Sequence, residues 1–142
     1  MKEIKITEAQ KNSISSVLLI LDETMDEIEK LCMDKDKKGI LYNIVNNLDE
    51  KEKVKVIENI NRIREIIKDI ATSIDIKKKR FETKRLISSR IASLWEMICE
   101  IESNRLKGYG DVSKSLKEYL DPFVNKIIAL LNDIEKVLYK NG

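Results

Sequence analysis

The sequence predicts an all-α protein, an antiparallel up-down four-helix bundle with short accessory helices near 40–48 and 113–120. Three observations predict it. Apolar residues recur every three or four positions through four long segments, which is the signature of a helical face. One Pro and four Gly in 142 residues leave the chain few places to turn. Charged residues make up 37% of the chain, against ~25% in an average domain. Such a load suits slender helices, each with a wide solvated face. The length fits one domain over 1–142, large enough for a core without metal or disulfide staples.

The first helix begins at Thr7. Gln10 stands three residues on, so each side chain can satisfy an orphan backbone N–H at the helix start. Ile14, Val17, Leu18, Leu21, Met25, Ile28, Leu31 and Cys32 then share a face, opposite Asp22, Glu23, Asp26, Glu27 and Glu29. Gly39 marks the stop. Ile40, Leu41, Ile44, Val45 and Leu48 are spaced as a two-turn helix, the first accessory element. Asp49 with Glu52 repeats the capping logic for the second long helix, whose seam is Val56, Ile60, Ile63, Ile67, Ile70 and Ile74.

The third long helix carries Ile87, Ile91, Leu94, Ile98 and Ile101. No Gly or Pro separates it from the second. At ~100° per residue the two stripes would nonetheless point well over 90° apart on one rod, so a break is expected near 75–82. Nothing local demands that break, and tertiary packing is expected to enforce it. The helix ends near Gly108, with Gly110 loosening the next step. Ser113 caps the second accessory helix, which runs to Leu120. Asp121 and Pro122 read as N-cap and first residue of the last helix. Its expected buried residues are Phe123, Ile127, Ile128, Leu131, Ile134 and Leu138.

Composition also narrows function. The chain has no histidine, which removes Ser-His-Asp and Cys-His catalysis and the Glu-x-x-His di-iron arrangement of helical bundles. Two distant cysteines, Cys32 and Cys99, cannot supply four zinc ligands and are expected as free thiols. The glycines around Tyr109 match no phosphate-binding loop. No catalytic, cofactor-binding or metal-ligating residue is assigned, no cofactor is expected, and the chain is read as non-enzymatic. The longest apolar runs, 17–21 and 127–131, have five residues each, whereas a membrane span needs ~20. The reading is cytoplasmic, with no membrane partner.

The acidic face of the first helix reads as solvated, because it lacks the loop geometry of a calcium site. Its carboxylates at i and i+4 repel in isolation, and basic partners on a neighbouring helix or another molecule would relieve them. The most lopsided stretch is 77–90. Lys77, Lys78, Lys79, Arg80, Lys84, Arg85 and Arg90 stand there against Glu82 alone, while the rest of the chain is net acidic. These seven form the candidate anion or nucleic-acid patch, weighed against a solvated turn. Trp95 is a candidate partner-contact aromatic, weighed against a place at the core margin. Tyr109 and Tyr119 are expected to pack the glycine loop down. The function expected is that of an adaptor, accessory subunit or small regulator acting through its surface on a protein partner, with a homodimer possible through an uncovered apolar strip. The alternative is a nucleic-acid-associated protein using 77–90 against phosphates.

Overall fold

The structure, a computed structural model, describes residues 3–139. It is all-α. Among the described residues the four long helices are α1 (Glu8–Met33), α2 (Glu50–Ser73), α3 (Thr83–Cys99) and α5 (Lys114–Leu138). Two-residue strands β1 (Lys37–Lys38) and β2 (Asn43–Ile44) lie between α1 and α2, and a short α4 (Ser103–Leu106) lies between α3 and α5. The chain divides into two compact units, Met1–Lys78 and Lys79–Gly142. Each is a helical hairpin, α1 on α2 in the first and α3 on α5 in the second.

In the first unit both long helices start as expected. Thr7 Oγ1 accepts from Gln10 N and Gln10 Oε1 accepts from Thr7 N, both at 3.0 Å. Asp49 and Glu52 make the same reciprocal pair at 2.8 and 3.0 Å. Met25, Cys32 and Ile60 form the buried centre. The expected helix near 40–48 is absent. A small antiparallel hairpin stands there instead, with Lys37 opposite Ile44 and Lys38 opposite Asn43. Its tip is closed by Gly39 N donating to Tyr42 O at 2.7 Å. A Cβ at Gly39 would lie 2.7 Å from Tyr42 Cδ1, so the ring sits where any other side chain would begin. A two-turn helix gains too few backbone bonds to offset nucleation. Asn43, Asn46 and Asn47 favour turns, where their side chains bond the backbone.

The break after α2 falls as expected, but its cause is local. Asp75 takes φ +54°, the left-handed conformation that reverses a helix end. Ile76 N then donates to Ala71 O at 2.8 Å, satisfying a carbonyl that the helix leaves free. This is the closure usually given to Gly, made here by Asp, which tolerates that region better than most residues.

In the second unit, α3 ends at Cys99, and α4 follows one tight turn later. Ser113 caps as expected, accepting from Leu116 N at 3.1 Å. The accessory helix over 113–120 is not separate, because α5 runs unbroken through Pro122. Asp121 does not cap its own helix. It reaches to the start of α4, where its carboxylate accepts from Ser103 N at 3.1 Å and from Ser103 Oγ at 2.8 Å. That leaves the helix to carry Pro122 nine residues in, at the loss of one backbone bond. Ile91, Val124 and Ser103 form the buried centre of this hairpin.

Candidate functional site

The seven basic residues of the candidate patch do not converge on one element. Lys77, Lys78, Lys79 and Arg80 lie in the non-helical stretch after α2, and the division between the units falls between Lys78 and Lys79. Lys84, Arg85 and Arg90 lie on α3. Arg85 and Arg90 are five residues apart, hence ~140° apart around the helix. All seven are exposed. Arg80 meets Glu82 at 3.5 Å in a solvent-facing pair, of a kind that contributes little.

The acidic face of α1 finds its basic partner in α2. Arg64 donates to Glu29 Oε2 at 2.8 Å and to Asp26 Oδ1 at 2.9 Å. The Arg64 guanidinium holds the Glu29 carboxyl below the usual carboxylate range, chiefly through that hydrogen bond and against a smaller opposing effect of burial. Among the described residues no cluster of three or more metal-ligating side chains forms. Nor is any helix there long and apolar enough to cross a membrane.

Cys32 is buried and Cys99 half-buried, and both are free thiols. Burial, then Glu102, pushes the Cys99 thiol up, away from the reactive thiolate. Trp95 is 44% exposed, so its ring is available from solvent without being free of the hairpin. The expected role of Tyr109 and Tyr119 is not met. Tyr109 is 90% exposed, and Tyr119 packs edge-on against Phe123, one turn along α5, at 5.2 Å between ring centres.

What the sequence did not separate is sidedness. The stripe read on each helix is wider than its hairpin partner covers. On α5, Val124 is buried and Ile128, Leu131 and Leu138 are half-buried. Phe123, Ile127 and Ile134, expected inside, are exposed, and Leu130 and Val137 join them. On α3, Ile91 and Ile98 turn inward, whereas Leu86, Ile87, Leu94 and Met97 are exposed; Ile101, expected on this helix, lies in the turn past its end at Cys99. In the first unit Ile14, Val17, Leu31, Val54 and Ile66 are exposed, and so are Ile40 and Leu41 at the hairpin tip, at 100% and 94%.

The α3–α5 hairpin carries its outward residues on a single side. Ser88 Oγ donates to Glu135, and Ser103 to Asp121, which sets the antiparallel register and brings Leu94 level with Leu130. The outward stripe on each helix lies ~90–100° from the side facing its neighbour. Viewed down an antiparallel pair, the two helices wind in opposite senses, so both offsets fall on the same side. The result is one broad apolar face built from Ile87 and Leu94 of α3 and from Leu116, Tyr119, Phe123, Ile127, Leu130, Ile134 and Val137 of α5. No protein-family model, curated protein or solved structure matches this chain.

Proposed function

We propose that this protein is a non-enzymatic helical assembly module, an adaptor, accessory subunit or small regulator that works by presenting apolar helix faces to a protein partner. The observation that supports this reading is the continuous apolar face of the α3–α5 hairpin, with Leu130 at its centre and 55% exposed. Contiguous apolar faces of that kind mark interaction sites. The absence of histidine from the chain fits a role in which no proton is moved near neutral pH. A photo-cross-linking residue at Leu130, irradiated in cells expressing the full chain, tests the proposal. A covalent protein adduct is expected, with none from the same probe at Asn132 on the polar side of α5. An unmodified chain from both positions would refute it.

The lesser reading, phosphate contact by Lys77–Arg80, Lys84, Arg85 and Arg90, is favoured by the exposure of all seven groups. It requires duplex binding whose log–log salt slope is about −0.9 per phosphate contacted, and no binding at low salt would dismiss it.

A further inference from the structure

The tip of the β1–β2 hairpin carries the most exposed large apolar residues among those described. Ile40 is 100% and Leu41 94% exposed, and Tyr42 beside them is exposed as well. A loose tip could fold back onto its own helices and hide these side chains. This one is held out. Gly39 N donates to Tyr42 O across its base, and β1 pairs with β2 behind it. Asn46 anchors the root. Its own N–H donates to Asp36 Oδ1, and its side-chain amide donates to Asp34 O and Cys32 O at the end of α1. The fold therefore keeps two large aliphatic side chains in water, at a cost that only a partner removes.

We infer that this tip docks on the surface of an anionic lipid bilayer, with Ile40 and Leu41 entering the acyl boundary and Lys37 and Lys38 meeting the headgroups. The contact belongs to the first unit and is independent of the assembly reading, which concerns the α3–α5 face. The expectation of no membrane partner rested on the lack of a spanning run, and an interfacial contact needs none.

Three observations select a lipid surface. The first is layering. A strand rises ~3.3 Å per residue, so the hairpin sorts its side chains by height. Ile40 and Leu41 stand at the top. Tyr42 lies just below, over Gly39, where a ring with a polar end suits the boundary between acyl chains and headgroups. Lys38, opposite Asn43, and Lys37, opposite Ile44, come next. Ile44, at the level of Lys37, and Val45 below it are exposed too, though less fully than the tip. Asp36 and Asp34 lie farthest from the tip, and the Asp36 carboxylate is turned onto Asn46 N. The order from the top is apolar, aromatic, cationic, with the acids last, which matches acyl chains, interface and anionic headgroups. The second is charge. Lys37 and Lys38 are exposed, and neither takes part in an ion pair among the described residues. Each lysine near an anionic membrane surface strengthens binding roughly fivefold. The third is shape. The tip is convex and narrow. A stable protein interface takes ~800 Å² from each partner, more than two aliphatic side chains and one ring present. A fluid bilayer needs no matching cavity, and each aliphatic side chain that leaves water gains roughly tenfold or more.

The test is co-sedimentation of the full chain with vesicles of phosphatidylcholine and phosphatidylserine at millimolar lipid, against vesicles of phosphatidylcholine alone. The chain is expected on the serine-containing vesicles. Lys37→Gln with Lys38→Gln should weaken that binding roughly 25-fold. Ile40→Ser with Leu41→Ser should weaken it on the order of 100-fold. All four positions are exposed, so circular dichroism of each variant should match the wild type. Insertion is read separately with Leu41→Trp and vesicles of brominated lipid. Emission from this variant should be quenched, while the wild type, whose single Trp is Trp95, reports the background. A chain that ignores the anionic vesicles overturns the inference. So does binding that survives Ile40→Ser with Leu41→Ser and disappears when Lys77, Lys78, Lys79 and Arg80 are replaced by Gln, which would place the contact on the basic stretch. So does a Leu41→Trp variant that binds without quenching. A photo-cross-linking probe at Leu41 that captures a protein, with no vesicle binding, also overturns it and makes the tip a plug for a protein pocket. None of these outcomes bears on the Leu130 face, so the two readings stand or fall separately.

Discussion

Asn46 closes the first unit from a loop, and its removal should cost more than any other loop substitution. Its side-chain amide donates to Asp34 O at 2.8 Å and Cys32 O at 3.1 Å, at the end of α1. Its Oδ1 accepts from Leu48 N at 3.1 Å, just ahead of α2. Its own N–H donates to Asp36 Oδ1 at 2.8 Å. One amide thus holds the end of α1 and the approach to α2 together, and only this orientation of the amide satisfies every partner. Asn46→Ala deletes three side-chain hydrogen bonds, each with a net contribution of about 0.5–1.5 kcal/mol. The carbonyls are near water and regain some solvation, so the expected loss is about 2–3 kcal/mol. Asn46→Asp keeps the size and the bond to Leu48 N. It turns an anionic oxygen toward carbonyl oxygens at the negative end of α1, so it should be at least as destabilising as Ala. Urea unfolding followed by circular dichroism at 222 nm, with hydrogen exchange over 37–49, measures both. Fluorescence is the wrong probe, because the single Trp, Trp95, belongs to the other unit. An Ala variant within about 0.5 kcal/mol of the wild type, the usual scatter of surface substitutions, would refute the reasoning, and so would an Asp variant clearly more stable than Ala.

Pro122→Ala should stabilise the second unit by about 1–3 kcal/mol, since Pro in a helix interior costs up to ~3 kcal/mol; thermal melting would show an unchanged or lower midpoint if the joint in α5 is not strained. Asp75→Gly should raise stability by about 1 kcal/mol by relieving the left-handed residue that closes α2, and Asp75→Val should lower it; equal midpoints for the two variants would contradict the role of φ +54° there. Glu29 is held below the usual carboxylate range by Arg64, so its contribution is present above its unfolded pKa and is lost as pH falls through its lower folded value. Arg64→Met should therefore unfold more readily than the wild type at pH 7, and the gap should close in strong acid; a gap of constant size across the titration would disprove the linkage.

What the sequence disclosed follows from the range of each interaction. The caps at Thr7 and Asp49 are three-residue events, and both stand as expected. The break between α2 and α3 was readable from the angle between two stripes, although its agent, Asp75, has no distinctive sequence mark. The acidic pairs of α1 called for a basic neighbour, and Arg64 supplies it from 35 residues beyond Glu29. Asn46 was unreadable because its carbonyl partners lie 12 and 14 residues away, with no pattern to join them. The false accessory helix at 40–48 came from the same three/four spacing that identified the true helices. Nine residues hold too few repeats to separate a helical face from an apolar hairpin tip. For the basic stretch 77–90, composition marked a cluster in sequence, and the turn of α3 then spread part of it around the helix.

The width of an apolar arc states how many neighbours a helix needs. A helix packed on one partner typically shows a stripe of ~100° or somewhat more. On α5 the inward seam of Leu120, Val124, Ile128, Leu131 and Leu138 lies beside the outward seam of Phe123, Ile127, Leu130, Ile134 and Val137. Together they span well over 150°, at ~100° per residue. The polar arc narrows to Glu118, Asn125, Asn132 and Lys136 and their flanks. The inward seam has α3. The outward seam consists of large aliphatic and aromatic groups at regular steps, at positions where a solvated helix would be expected to carry Lys, Glu or Gln. Each costs free energy while it faces water, by about 25 cal/mol per Å² of apolar surface. That cost is recovered only when a second helix covers the seam. The outward seam of α5 therefore calls for a covering neighbour that α3 does not supply.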